Sequence, residues 1–272
     1  MKNIKAIAIG GFDGMHVGHQ QLFEALGNEG AILVIETGYA NLTPAKAREH
    51  YTDLPIFYYE LDDIRHLDAE GFIAKLLEEF PNLEKIVVGY DFHFGKDRCY
   101  NYDDLRELFS GKVEVISEVK IDDDSVHSHK IRKLLEQGKL EQANLYLGYN
   151  YQLKGRVIPG QGVGKEKLVP TLNLDVRGYR LPKEGVYATL TRLDDDHLYP
   201  SVSFIGQRTI TDGSFAIETH ILDSDIKSSQ KADISFLHFI RKNRSFDSFE
   251  ALKDQIDKDI KEAKQVIHLL EL

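Results

Sequence analysis

A chain of 272 residues that is 42% hydrophobic and 29% charged has an ordinary globular composition, with room for one large domain or two smaller ones. Its net charge of -10, with no long Lys/Arg block to offset it, repels phosphate backbones and argues against nucleic acid as a partner. No apolar run approaches the roughly 20 residues of a membrane helix, and "MKNIKAIAIGG" is too short for a signal peptide, so the expectation is a cytoplasmic protein with no membrane and no obligatory protein partner.

Strands and helices alternate up to about residue 148. "IKAIAIG" reads as a buried strand, and "HQQLFEAL" follows with Leu22, Phe23 and Leu26 at helical spacing. "AILVIE" is a second strand, "PAKAREHY" a weak helix, "IFYYEL" a third strand. "AEGFIAKLLEEF" puts Phe72, Ile73, Leu76 and Leu77 on one helical face. "KIVVGYDF", "YDDLRELF" and "KVEVISEV" continue as strand, helix and strand, and "SHKIRKLLEQG" with "LEQANLYLG" closes as a helical pair. This order predicts an α/β Rossmann-like domain with a mostly parallel sheet over residues 1–150.

From about residue 151 the period becomes two. "YQLKGRVI", "GVYATLTRL", "LYPSVSFIG", "FAIETHIL" and "ADISFLHFI" read as strands separated by Gly, Pro and Asp clusters. Residues 151–272 are therefore expected to form a small antiparallel β-barrel with a C-terminal helix. Asp247 and Glu250 make a plausible capping box for that helix, and Phe249, Leu252, Ile256, Ile260, Ala263 and Ile267 line one stripe that packs on the barrel. The boundary near Gly148–Tyr151 is short, with no repeat and no low-complexity linker.

Two segments carry chemistry. In "IAIGGFDGMHVGHQQLF", His16 and His19 fall in the turn after the first strand, where open parallel sheets bind ligands. Gly10, Gly11, Gly14 and Gly18 let backbone approach a ligand, and the following helix directs its positive end at the same spot. Two imidazoles add donors for charge on phosphate oxygens. A His-x-Gly-His match alone is weak, and no third ligand makes it a metal site. Strand before, Phe12-Asp13-Gly14 within and helix after favour a phosphate-handling turn. In "PGQGVGKEKLVPTLNL", Gly160, Gly162 and Gly164 form a loop whose N–H groups suit phosphates. The Thr171 hydroxyl is a hard oxygen ligand of the kind Mg²⁺ takes, with Asn173 beside it to orient phosphates or metal. The single cysteine, Cys99, permits neither an intrachain disulfide nor a cysteine-based zinc site and is assigned no role.

"GGFDGMHVGHQQL", "VGYDFHFGKDR" and "VHSHKIRKLLEQGKLEQANLYLGYNYQLKGRV" resemble the bacterial bifunctional riboflavin kinase/FMN adenylyltransferase (FAD synthetase) family, and "GRVIPGQGVGKEKLVPTLNL" resembles its flavokinase signature. The resemblance covers nearly the whole chain. It implies two reactions: phosphorylation of riboflavin to FMN and adenylylation of FMN to FAD, with ATP as co-substrate and Mg²⁺ as cofactor. It further implies that His16 and His19 contact the ATP phosphates, that Ser128 and Arg132 contact the outer ones, and that Asp91 and Phe92 help hold nucleotide or flavin. By the same resemblance Thr171 and Asn173 hold metal and phosphates, and Glu218 in "FAIETHILD" takes the proton of the riboflavin hydroxyl. There are departures. Gly11 stands where the family usually has Asn, His127-Ser128-His129 where it has Ser-Ser-Thr, and Leu168 where it has Gly. "SFIGQRTI" is an altered form of its Asn-Ile-Gly-x-Arg-Pro-Thr segment, and its Phe-x-Pro-His-Pro segment is not recognisable in "VIETGYANLTP". A riboflavin kinase with a degenerate first module, and a non-catalytic flavin or nucleotide binder, stand beside the bifunctional reading.

Overall fold

The computed structural model describes residues 3–160, 168–208, 213–224 and 229–270. The chain divides into two compact units, Met1–Ser128 and His129–Leu272.

The first unit is built on five parallel strands: β1 (Ala6–Gly10), β2 (Gly30–Glu36), β3 (Ile56–Glu60), β4 (Lys85–Gly89) and β7 (Lys112–Ile116), in the order β3-β2-β1-β4-β7. Both faces of the central strands are buried, as the continuous apolar runs require. Ile7, Ile9, Ala31 and Leu33 pack on one side with Phe72, Ile73 and Leu76 of α3 (Ala69–Glu79). Ala6, Ala8, Ile32 and Val34 pack on the other with Leu22 of α1 (Val17–Glu24). Asp68 caps α3, its carboxylate accepting from Gly71 N at 2.8 Å. Asn101 and Asp104 form a capping box at α4 (Tyr102–Leu108). The order runs outward from β1 in both directions, so the loop after β1 lies at the switch point where such sheets open a ligand crevice.

Local differences from the sequence reading have physical causes. The segment Ala45–Tyr51 is a 3₁₀-helix, not an α-helix, and α1 ends at Glu24, so Leu26 packs from beyond it. A short helix α2 (Leu61–Ile64) and two two-residue ladders, β5 (His93–Phe94) with β6 (Tyr100–Asn101) and β8 (Lys120–Ile121) with β9 (Asp124–Ser125), are too short to leave a periodic signal.

In the second unit α5 (Ser128–Gln137) and α6 (Leu140–Leu147) precede a closed six-stranded antiparallel barrel. Its strands are β10 (Gln152–Ile158), β11 (Leu172–Val176), β12 (Gly185–Arg192), β13 (Leu198–Gln207), β14 (Phe215–Ile221) and β15 (Lys231–Lys242), in the order β10-β11-β14-β13-β12-β15. The sequence reading missed β11, a five-residue strand inside the segment read for its Pro-Thr-x-Asn motif. The terminal helix α7 (Phe249–Leu270) lays Ile260 and Ile267 against Leu190, Val202, Leu222 and Leu237. Its cap is Ser248, whose Oγ accepts from Ala251 N at 3.1 Å, one residue later than the Asp247/Glu250 box expected. Arg241 of β15 grips Asp259 of α7 with both ends of its guanidinium, at 2.9, 3.0 and 2.7 Å.

Polar side chains fill part of the barrel interior. Thr189, Ser201, Thr191, Thr219 and Ser203, all fully buried, close a five-membered ring of hydroxyls at 2.8, 2.8, 3.2, 3.0 and 2.8 Å. Each hydroxyl can donate once and accept once around the ring, so every member is satisfied. The ring ties β12, β13 and β14 together directly behind Glu218, whose side chain points the other way from that of Thr219.

Candidate functional site

The first site grows from the β1–α1 turn. Phe12 and Met15 take positive φ (46° and 41°) and Gly14 has φ 88°, a conformation that only glycine adopts without strain. Strained backbone of this kind persists where the surroundings hold it, and here they do. Asp13 Oδ1 accepts from Leu42 N (2.9 Å) and Thr43 N (3.0 Å), Gly14 N donates to Thr43 Oγ1 (2.8 Å), and Ser128 Oγ donates to the Asp13 carbonyl (2.7 Å). Asp13 and Ser128 therefore brace the turn in this structure.

His16 is the N-cap of α1, with its Nδ1 accepting from His19 N at 3.4 Å. That bond places the ring proton on Nε2. The two imidazoles stack with centroids 3.5 Å apart and planes at 20°, and the Phe12 ring meets His19 edge-on at 5.2 Å. Both histidines are held neutral. Burial, with a smaller push from His127, lowers the His16 pKa to about 3. Burial, His16, Arg48 and His127 lower that of His19 well below the ordinary value. The His19 Nδ1 is sealed off without a partner among the described residues, a polar atom that a ligand would satisfy.

These shifts have a consequence for stability. Above the ordinary pKa of 6.5 the imidazoles are neutral folded or unfolded and add no pH dependence. Below it the unfolded chain takes up protons that folded His16 refuses until about pH 3, so stability is lost as pH falls through that window. The loss attributable to His16 is on the order of 4 kcal/mol at its lower end. Urea unfolding of the parent and of His16→Gln at pH 7, 6 and 5 should show a steeper decline in the parent; parallel declines would refute it.

Arg48 is a site residue that the sequence reading missed. It is fully buried, pairs with Glu36 at 2.5 Å, and donates to the carbonyls of Ala45 and Gly11, each at 3.0 Å. A buried charge is retained only with such partners, and it brings a fixed cation under the turn. Little in "PAKAREHY" signals it, because only the Ala45 carbonyl is local and its other partners lie 12 and 37 residues away. Asp91 is exposed just past β4, whereas the Phe92 ring belongs to the core and stacks on Phe94 at 5.6 Å. Gly10 ends β1, and Gly18 abuts the His16 ring. Arg132 lies on α5 in the second unit.

The second site lies on the barrel. Asn173 of β11 and Glu218 of β14 are register partners, so neighbouring strands present an amide and a carboxylate side by side. Arg208, just past β13, binds both: Nε and Nη2 reach Glu218 Oε1 at 2.9 and 2.8 Å, and Nη2 reaches Asn173 Oδ1 at 2.5 Å. His220 Nδ1 donates to Pro170 O at 2.7 Å, anchoring the segment that carries the half-buried Thr171. Gly160 is required by close approach, since a Cβ there would lie 2.4 Å from Asn173 Nδ2. Gly162 and Gly164 lie outside the described residues.

A turn carrying two stacked imidazoles at a sheet switch point, followed by a barrel that pairs a carboxylate with an amide, is a two-module arrangement of the kind group-transfer enzymes use. Comparison with known proteins makes the class specific. The riboflavin kinase family model matches residues 147–267 and the FAD synthetase model residues 52–130. A bifunctional riboflavin kinase/FMN adenylyltransferase from Haemophilus influenzae is 30% identical over 286 residues, 95% of this chain and 93% of that protein. One of the same name from Pseudomonas fluorescens is 29% identical over 284 residues, 94% and 91% of the two chains. The chain belongs to the bifunctional riboflavin kinase/FMN adenylyltransferase family and is a transferase. A crystal structure described as a macrolide-efflux protein from Streptococcus pneumoniae superposes with a TM-score of 0.85 at 23% identity, covering 97% of this chain and 95% of that one; the likeness bears on the fold alone.

Proposed function

We infer that the chain carries out both reactions of its family in sequence, with the kinase centre in residues 151–272 and the adenylyltransferase centre in residues 1–150. The observation that carries this reading is the register pairing of Asn173 with Glu218, two residues singled out separately along the chain and brought side by side by the barrel.

In the first reaction the riboflavin 5′-hydroxyl oxygen bonds to the γ-phosphorus of ATP, the bond to the β–γ bridging oxygen breaks, and ADP leaves. The hydroxyl proton passes to Glu218, a carboxylate fixed beside the site. Thr171, Asn173 and Glu218 offer hydroxyl, amide and carboxylate oxygens, a donor set that fits Mg²⁺. Thr171 and Asn173 would hold that ion, Asn173 through the second lone pair of an oxygen that already accepts from Arg208. When bound, it supplies charge neutralisation at the transferring phosphates.

In the second reaction an FMN phosphate oxygen bonds to the α-phosphorus of a second ATP and pyrophosphate leaves. The nucleophile is already anionic, so no base is needed, and the requirements are alignment and charge stabilisation. His16 and His19 supply neutral donors on a turn braced by Ser128, and Asp91 serves the nucleotide or flavin from the end of β4. On this reading the protein works in the cytoplasm, on soluble flavins and ATP. No helix of the described residues is long and apolar enough to cross a membrane.

Riboflavin, ATP and Mg²⁺ incubated with the protein should yield FMN first and FAD later, resolved by chromatography. FMN that never proceeds to FAD would leave a kinase alone. No ATP-dependent product over a range of Mg²⁺ would reject the assignment.

A further inference from the structure

Arg208 has no part in the reactions as stated above, yet it is the most heavily engaged side chain of the barrel site. Its backbone N donates to Ser214 O at 3.0 Å and its Nη1 to Ser214 Oγ at 2.7 Å, so both ends of the residue are fixed at the start of β14. From there the guanidinium reaches back across β14 to β11.

The way it binds Glu218 is asymmetric. Nε and Nη2 converge on one oxygen, Oε1, at 2.9 and 2.8 Å, in place of the usual pairing of two nitrogens with two oxygens. Oε2 receives no hydrogen bond among the described residues. One carboxylate oxygen is thus the anchor and the other is left to meet a hydroxyl. The same guanidinium sets the Asn173 amide. Arg can only donate, so the amide must present its oxygen to Nη2 (2.5 Å), which turns Nδ2 toward Gly160, where the glycine-rich segment begins. The pair is mostly sheltered, with side-chain exposures of 18% for Arg208 and 22% for Glu218, so its geometry is little loosened by water. A planar fork that reaches two acceptors at once is something a lysine ammonium does not reproduce.

We propose that Arg208 is a positioning residue of the phosphoryl-transfer centre: it holds Glu218 by Oε1 so that Oε2 faces the hydroxyl nucleophile, and it fixes the Asn173 amide with its donor toward Gly160. The proposal rests on the assignment of Glu218 as the base. Misplacing a reacting group by about 1 Å costs on the order of 10²-fold in rate, and that is the size of effect at stake.

The test is a double-mutant cycle on FMN formation from riboflavin and Mg-ATP, using the full chain. Arg208→Gln should lower kcat about 10- to 100-fold with little change in KM for either substrate. Arg208→Lys should recover part of the loss, because an ammonium restores a bond to Oε1 without the fork to Asn173. In a Glu218→Gln background, Arg208→Gln should cost clearly less than in the parent, because the carboxylate it aims is gone and only its hold on the Asn173 amide is left to lose. FAD formation from supplied FMN and the melting temperature report that each variant is folded; if Arg208→Gln fails there, Arg208→Lys decides. The same loss in both backgrounds, with Glu218→Gln itself damaging, overturns the positioning role and leaves the base intact. Unchanged kcat with a lowered melting temperature also overturns it, leaving a structural ion pair. A harmless Glu218→Gln beside a damaging Arg208→Gln overturns the base and its positioning together.

Discussion

Glu218→Gln is expected to lower FMN formation from riboflavin about 10²- to 10⁴-fold, the usual range for loss of a general base. FAD formation from supplied FMN should continue at the parent rate. The substitution is close to isosteric, and the glutamine Oε1 still accepts from Arg208, so the strand pairing with Asn173 is kept. What disappears is the proton acceptor. FMN brings an anionic phosphate to the second reaction, which has no proton to remove and, on the proposed assignment, relies on the His16 and His19 turn and not on Glu218. Phosphoryl transfer through a loose transition state asks for little proton removal early on. If orientation of the hydroxyl is the larger part of the effect, Gln loses only a small factor and Ala loses far more. Steady-state rates of Glu218→Gln and Glu218→Ala on both reactions distinguish the two, and an unimpaired kinase in both variants would remove Glu218 from the mechanism.

The same residues show where sequence reasoning stops. His16, His19, Thr171 and Asn173 were singled out because each sits in a local pattern, a strand running into glycines, a turn or a short motif, whereas Glu218 was singled out only by the family resemblance. The parallel sheet was legible because strands buried on both faces give unbroken apolar runs such as "AIAI" and "AILVI". The barrel was legible only as a change of period. Its interior would be misassigned by the rule that polar residues of a strand face outward. Thr189, Thr191, Ser201, Ser203 and Thr219 are the inward set, while Leu190 and Val202 face α7. Two burials make this stable: the helix covers the outer apolar face, and the hydroxyls satisfy one another inside. Arg48 and Arg208 were missed for a related reason. A charged residue reads as solvated until its partners are known, and Arg208 finds Asn173 35 residues away and Arg48 finds the Gly11 carbonyl 37 away. Pairing across strands and loops is a property of the fold, and no local period encodes it.

His19→Ala is expected to depress FAD formation about 10²- to 10³-fold, equivalent to roughly 2.7–4 kcal/mol of transition-state stabilisation for one preorganised donor, and to leave FMN formation intact. The geometry gives the two histidines separable parts. His16 holds the start of α1 through Nδ1 and is buried; His19 stacks on it with a sealed Nδ1 that lacks a partner among the described residues. Because burial keeps both imidazoles neutral, they bring no charge that must be stripped of water before pyrophosphate begins to leave. On the proposed mechanism they would act as fixed dipoles at the departing pyrophosphate. His16→Ala should cost as much as His19→Ala and should destabilise the first unit as well, through loss of the cap, by about 1 kcal/mol. His16→Asn separates these effects. Asparagine is a good N-cap, so its amide oxygen can take over the bond from His19 N and restore stability, but it has no imidazole Nε2–H to offer. FAD formation by His16→Asn should therefore stay as low as in His16→Ala while its urea midpoint returns toward the parent. Recovery of both together would make His16 a cap and nothing more, and equal loss of FMN and FAD formation in His19→Ala would show that the residue acts on the fold of the chain instead of on nucleotidyl transfer.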